Sequence, residues 1–370
     1  MPKKLTIRDI AQLAGVSKST VSRVLNTKQD VDPVTRERIL QIIEEQTFVL
    51  DMSASKLAGG RSRLIGSLVP PLAWPLMPEI MRGISDVVAQ SPYELILYSI
   101  TKEQVHHDKE QHDVISRILH SNLASGLLAV FPGPSTPYLT ELYEKGFPVV
   151  IIDDRGEPTS VPWVSADNRV GAHAATRYLL QMGHHRIAYI QGSPEYRVSQ
   201  ERYLGYCDAL HEAGLAPDPA LVQQGDFTPM SGRAIADYFC TMVDRPTAIF
   251  ASNDQVAYDV LTTADKHGLR VPEDLSVVGF DDIPPSAYLR PPLTTVRQPF
   301  YEMGKQAAEL LLSLLEVSSS GAHALNKLSK SLSVRLVTDL VVRDSCSPPH
   351  DNKLQRKSSG LLDSVAKAQQ

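Results

Sequence analysis

From Leu64 to Phe280 the chain alternates short β-branched, apolar runs with longer stretches of helical spacing. Seven runs have strand length and composition: Leu64–Val69, Glu94–Tyr98, Gly126–Phe131, Val149–Asp153, Arg186–Gln191, Ala248–Ala251 and Ser276–Phe280. Between them the spacing predicts helices, among them Pro78–Gln90, Asn168–Met182, Gln200–Ala213, Met230–Val243 and Gln255–His267. Strands that are apolar throughout and alternate with helices wind a parallel sheet covered on both faces. There are enough units for two such sheets in succession, and so for two lobes with a cleft between them. Ligands of doubly wound sheets sit beyond the carboxyl ends of the strands. Asp153 follows V-V-I-I, Asn253 and Asp254 follow A-I-F-A-S, and Asp281 and Asp282 follow S-V-V-G-F. A carboxylate there can accept hydrogen bonds from two sugar hydroxyls; a helix cap or loop residue is the plainer reading of any one of them.

Ahead of this core, Thr6 to Asn26 reads as two short helices joined by a tight turn. Thr6 and Asp9 have capping-box spacing. Ile7, Ile10, Leu13 and Ala14 make one apolar face, and Gly15 ends the helix where a left-handed backbone is easiest. Ser17 caps a second helix that turns Val21, Val24 and Leu25 inward and Lys18, Ser19, Ser22 and Arg23 outward. That short, polar, basic face suits a helix lying in the DNA major groove, although an ordinary helical hairpin with a solvated face has the same pattern. Asp32-Pro33 starts a third helix, to about Thr47, with Val34, Ile39, Ile42 and Ile43 as its apolar set.

Charge agrees with this division. Residues 1–63 carry 11 Lys/Arg against 7 Asp/Glu, and the remainder 26 against 35. Phosphate contacts therefore fall to the basic N-terminal part, while the acidic body is not drawn to DNA. No apolar run is long enough to span a membrane, and M-P-K-K-L-T has no signal core, so a cytoplasmic protein is expected. Cys207, Cys240 and Cys346 are isolated and fit a reducing compartment without disulfides. His106, His107, His112 and His120 lack the spacing that completes a metal site, and no phosphate-cradling loop or nucleophile elbow is present. Neither a metal, a cofactor nor a catalytic set is expected.

The run A-G-V-S followed by T-V-S-R-V-L-N resembles the headpiece of the LacI–GalR family of bacterial transcription regulators, and the likeness continues to about Ser345. It implies an α/β chain in which a small all-α helix-turn-helix headpiece precedes a two-lobed, periplasmic-binding-protein-like core of doubly wound parallel sheets with three lobe crossovers. The expected division is residues 1–49 headpiece, 50–62 hinge, 63–345 effector-binding and dimerisation core, and 346–370 a Pro-, Ser- and Lys-rich disordered tail with no sustained heptad. By composition Asp51 to Gly60 is a short flexible linker. The resemblance implies a hinge that becomes helical when two subunits sit on DNA, with Ala54 and Lys56 beside Leu57, the wedge that opens a minor-groove step. Leu50-Asp51 and Lys56 depart from the family's usual Pro-Asn and Arg.

Lys18, Ser19 and Arg23 are the candidates for base contacts; Thr20, Ser22 and Asn26 are those for phosphate, with Thr6 and Ser17 at the helix starts. In the cleft the resemblance implies effector contacts from Arg202 in E-R-Y-L-G-Y, Asn253 and Gln255 in S-N-D-Q, Asp281 in G-F-D-D and Phe227 in G-D-F. It adds Trp74, Leu76, Met77 and Ile80 on the near lobe and Phe300 near the cleft on the far lobe. Asp153 joins them from its strand end. An aromatic platform with Asp, Asn and Arg partners suits a sugar. Purine-responsive relatives carry aromatics where this chain has Leu76 and Met77, and an arginine where it has Tyr196. The expected function is a homodimeric repressor of a pseudo-palindromic operator in double-stranded DNA, controlled by a small molecule, with a sugar favoured. A sugar-binding protein of transport type and a purine-responsive regulator are the alternatives.

Overall fold

The computed structural model of the chain describes residues 5–25, 30–46, 48, 62–99, 123–153, 160–318 and 332–349. The chain divides into two compact units between Ser62 and Arg63. Asn26, the hinge residues Ala54, Lys56 and Leu57, the four histidines between 106 and 120, and the tail beyond Pro349 lie outside the described residues.

Among its described residues the first unit holds three helices: α1 (Ile7–Ala14), α2 (Lys18–Leu25) and α3 (Pro33–Glu45). Eight-residue helices are too short to persist alone, so their ends and one shared core must hold them. Thr6 and Asp9 form a reciprocal cap: the Thr6 N–H donates to the Asp9 carboxylate at 2.7 Å, and the Asp9 N–H to Thr6 Oγ1 at 3.4 Å. Gly15 ends α1 at φ 64°, where a side chain would be strained. The Thr20 N–H donates to Ser17 Oγ at 3.1 Å, which caps α2. Asp32 caps α3 by accepting from the Thr35 N–H at 2.9 Å, a bond that holds its carboxyl below the usual carboxylate range. Ile10, Ala11, Ala14, Val21, Val24, Val31 and Ile39 close the core. Two expected members are absent from it. The buried stripe of α1 is centred on Ala14, which leaves Leu13 55% exposed, and Val34 in the first turn of α3 is 76% exposed.

Among the described residues of the second unit, each lobe is built on one six-stranded sheet. The near-lobe sheet runs β11-β5-β4-β3-β1-β2 and is parallel throughout. Its strands are β1 (Leu64–Val69), β2 (Glu94–Ser99), β3 (Ala124–Val130), β4 (Val149–Ile152), β5 (Trp163–Ala166) and β11 (Val334–Leu336). The far-lobe sheet repeats the order as β12-β10-β9-β8-β6-β7, with β12 antiparallel. Its strands are β6 (Ile187–Gln191), β7 (Val222–Gln224), β8 (Ala248–Ala251), β9 (Ser276–Asp281), β10 (Thr294–Arg297) and β12 (Asp339–Val341). Strand alternation divides the far-lobe core. Ala188 and Ile190 bury on one face of the sheet, Ile187 and Tyr189 on the other.

Near-lobe helices are α4 (Met77–Val88) and α5 (Thr136–Glu144), and far-lobe helices are α6 (Asn168–Gln181), α7 (Arg197–Glu212), α8 (Pro229–Thr241) and α9 (Asp254–Lys266). The chain changes lobe three times: between β5 and α6, between β10 and α10 (Phe300–Ser318), and between β11 and β12. The first and third crossovers are tied, the Asp167 N–H donating to the Leu336 carbonyl at 2.8 Å. Folded chain extends past the expected limit at Ser345. Ser347 accepts from the Ser276 hydroxyl and donates its N–H back to Ser276 Oγ, both at 3.0 Å.

Candidate functional site

In both sheets the winding direction reverses between the first and third strands, β1/β3 in one lobe and β6/β8 in the other. Crevices open at such points, beyond the strands' carboxyl ends. The backbone marks the same places. Among the described residues, five non-glycine residues have positive φ: Phe131, Asp153, Phe227, Asp281 and Asp282, at 48°, 67°, 67°, 117° and 55°. Each follows or ends a strand: β3, β4, β7 and, for the last two, β9. Such conformations cost about 1–3 kcal/mol each and persist where surrounding contacts over-determine them.

Arg202 on α7 is the hub of the site and is only 3% exposed. Its Nε donates to Asn168 Oδ1 at 2.8 Å, its Nη1 to the Ser252 carbonyl at 2.6 Å, and its Nη2 lies 3.4 Å from Asp281 Oδ1. The guanidinium lies over the Phe280 ring, 3.8 Å from its centre. Asp281 Oδ1 also accepts from Gln298 Nε2 at 2.7 Å. Asp153, from the near lobe, accepts one bond, from Ser165 Oγ at 2.9 Å. Burial pushes the Asp153 and Asp281 carboxyls up to about 6, against the opposing pull of Arg202. Asp153 Oδ2, Gln298 Oε1 and Ser252 Oγ are buried without a protein partner. Groups so placed are costly unless something else satisfies them.

Aromatic rings complete the enclosure. Phe227 meets Tyr196 edge-on, with centroids 6.2 Å apart, and Trp74 meets Phe131 at 6.3 Å. Both pairs touch one apolar cluster, in which Tyr196 and Val198 of the far lobe join the near-lobe core. Gly192 lets the Phe227 ring lie against the backbone, since a Cβ there would fall inside the ring and displace it. Asn253 caps α9 by accepting from the Val256 N–H at 2.8 Å, and its Nδ2 donates to the Phe227 carbonyl at 3.2 Å.

The structure thus brings together Asp153, Arg202, Asp281, Asn253, Phe227 and Trp74 of the expected residues. Leu76 and Gln255 lie half-buried beside them in chain order, at the starts of α4 and α9. Three others belong to the near-lobe core. Met77 and Ile80 are fully buried in it, and Phe300, expected on the far lobe, packs there as the first residue of α10. Asp254 is a structural carboxyl. It accepts from Thr295 Oγ1 at 2.5 Å, Ser286 Oγ at 2.6 Å and the Ile283 N–H at 3.0 Å, and burial together with Asp281 pushes it up to about 8. Sequence reasoning missed Asn168, Ser252 and Gln298. The readable signal for Gln298 was its place directly after a strand in T-T-V-R-Q.

On the headpiece, Lys18, Ser19 and Arg23 are exposed on α2, with Thr20 and Ser22 half-buried. Ser17 Oγ is within 2.7 Å of Ser19 Oγ and 2.8 Å of Thr20 Oγ1. Arg23 lies 3.5 Å from Asp30, an exposed pair that an incoming phosphate or base can displace at less than about 1 kcal/mol. Among the described residues no cluster of His, Cys, Asp and Glu could hold a metal, and no helix is long and apolar enough to cross a membrane.

Residues 6–49 match the bacterial regulatory proteins of the lacI family, and residues 176–346 match a periplasmic binding protein-like domain. The chain is 33% identical over 312 residues to the HTH-type transcriptional repressor PurR of Aliivibrio salmonicida, covering 84% of this chain and 92% of the relative. Among solved structures it is similar to the transcriptional regulator CelR in complex with cellobiose, at 31% identity and TM-score 0.67 over 92% of this chain and 99% of that one. It is also similar to the lac repressor dimer bound to operator and the anti-inducer ONPF, at 26% identity and TM-score 0.78 over 93% and 100%. The chain belongs to the lacI family of bacterial regulatory proteins: a transcriptional repressor with a helix-turn-helix headpiece and a periplasmic-binding-protein-like core.

Proposed function

We infer that this chain is a homodimeric repressor whose affinity for a pseudo-palindromic operator is set by a sugar or sugar derivative held between its lobes. One observation carries the effector half of the reading. Polar groups from both lobes, Asp153 on one side and Asp281 with Gln298 on the other, converge around Arg202, and two of their buried oxygens have no protein partner. Aromatic rings beside polar acceptors suit a ring that is apolar on its face and hydroxylated at its edge. The cellobiose bound to one similar regulator supports a sugar. Tyr196, standing where purine-responsive relatives carry arginine, weighs the same way.

In this reading α2 lies in the major groove, with Lys18, Ser19 and Arg23 toward bases and Thr20 and Ser22 toward phosphates. Effector shifts the angle between lobes and with it the spacing at which paired headpieces engage their half-sites. A coupling of about 1–3 kcal/mol is typical. Gel shifts on a duplex selected from random sequence by the purified protein test both halves. Arg23→Ala should weaken the selected duplex by about 1–3 kcal/mol and random DNA much less; equal losses on both would remove the base-reading role. Asp281→Ala should retain the duplex and lose the response to sugar, and a normal response would place the effector elsewhere.

A further inference from the structure

We propose that the cleft selects an uncharged, hydroxyl-bearing ring and excludes phosphorylated or carboxylated forms of the same compound. The inference deepens the effector reading above and rests on it.

Among the described residues Arg202 is the cation of this site's buried polar groups, and its charge is already committed. Its donors reach Asn168 Oδ1, the Ser252 carbonyl and Asp281 Oδ1. Its face lies on Phe280, with the Phe227 ring centre 5.8 Å away. Against that one guanidinium stand two buried carboxyls, Asp153 and Asp281, with Glu201 near enough to act on Asp153. Arg197, the neighbouring cation, is paired with Glu201 at 3.1 Å.

Two of the three atoms left over only accept. Asp153 Oδ2 and Gln298 Oε1 can only accept while Asp153 is ionised, and Ser252 Oγ can do either. The Gln298 carboxamide cannot simply turn its donor outward, because its Nε2 is held by Asp281 Oδ1 at 2.7 Å. An incoming phosphate or carboxylate would bring more acceptors to a surface in which two of the three open atoms only accept, and further negative charge beside two carboxyls. A neutral ring brings the hydroxyl protons that these oxygens lack. The same chemistry belongs to a free sugar and to the ribose of a nucleoside, so the ligand panel must separate them.

Calorimetric titration of the full chain with matched pairs tests this: cellobiose, glucose and ribose beside glucose 6-phosphate and ribose 5-phosphate, and adenosine and guanosine beside their monophosphates. The expected result is that the binding member of a pair is the neutral one, that its phosphate ester binds at least about 100-fold more weakly, and that Asp281→Ala abolishes binding. Binding among the sugars or among the nucleosides identifies the source. A phosphate ester that binds as well as its neutral partner, with binding lost in Asp281→Ala, overturns the proposal while leaving the cleft as the effector site. Binding unaffected by Asp281→Ala overturns the cleft reading itself.

A ligand-free measurement tests the same charge inventory. Asp153→Asn keeps an acceptor for Ser165 and removes a buried charge whose burial outweighs the pull of Arg202. The variant should melt about 2–4 °C above the wild type at pH 7.5. The gain should shrink from pH 6.5 to pH 5, as the wild-type carboxyl takes up a proton. A lower melting temperature at pH 7.5 would show that Asp153 serves to neutralise Arg202, and the proposal would fall.

Discussion

The two lobes share one strand order, 2-1-3-4-5 and 7-6-8-9-10, each completed by a strand that returns after α10. They are nonetheless built differently at the cleft. The far lobe presents a preassembled polar surface, in which Arg202, Asn168, Ser252, Asp281 and Gln298 hold one another through bonds of 2.6 to 3.4 Å. Behind that surface, Asp254 pins the segment after β9 to β10. Among its described residues the near lobe contributes one carboxyl with one bond, Asp153 with Ser165, and an aromatic pair, Trp74 with Phe131. One strand order, differing only in the direction of its last strand, therefore carries two differently bonded surfaces. A surface with few internal bonds is held loosely, whereas the far-lobe network is bonded within itself without a ligand.

Breaking the far-lobe hub should have the largest effect. Arg202→Ala leaves buried Asp281 and Asp153 without their cation, and the loss of a partner from a buried pair costs about 3–5 kcal/mol. Urea unfolding should show a destabilisation of that size together with complete loss of sugar response. A loss of response alone, without destabilisation, would mean that the hub serves the ligand and not the lobe. Gly192→Ala is next. Its Cβ would displace the Phe227 ring, an overpacking cost of about 1–3 kcal/mol. The effect should be seen first in effector affinity, because Phe227 is only half-buried and can move aside. The far lobe also carries a pH dependence of its own. Asp254 has its carboxyl raised to about 8 from 3.8, so the native far lobe holds a proton that the unfolded chain has released. The stability it contributes is whole below about pH 4 and is lost as pH rises to 8, by about 1 kcal/mol per pH unit. Urea midpoints measured between pH 5 and 8 should fall accordingly, and Asp254→Asn should lack this part of the slope.

How much of this was legible can be read from particular residues. Asp153 and Asp281 were visible because a carboxylate directly after an apolar run marks a strand end, where ligands gather. Asn168 was not, because β5 before it is four residues long and its polar Ser165 breaks the apolar run. Gln298 was legible only as a polar residue after a strand, because its role depends on Asp281, which is near in space across β9 and β10 rather than in sequence. Phe300 shows the converse error: its position in the chain pointed to the far lobe, but the second crossover had already carried the backbone to the other side. In the headpiece, caps at Thr6, Ser17 and Asp32 could be read from spacing alone, whereas Leu13 and Val34 could not be assigned to solvent without knowing which neighbours they would face.

The sequence by itself determined what depends on neighbours along the chain: the helix caps, the turn at Gly15, the apolar strands that demand cover on both faces, and so two wound sheets behind a small helical unit. Tertiary structure alone decided which charges meet. Arg202 lies 34 residues from Asn168, 50 from Ser252 and 79 from Asp281 in the chain, and a guanidinium selects its partners by distance in space. Local backbone preference fixes elements, but electrostatics acts through the folded interior, so the charge balance of the cleft exists only once both sheets have closed around it.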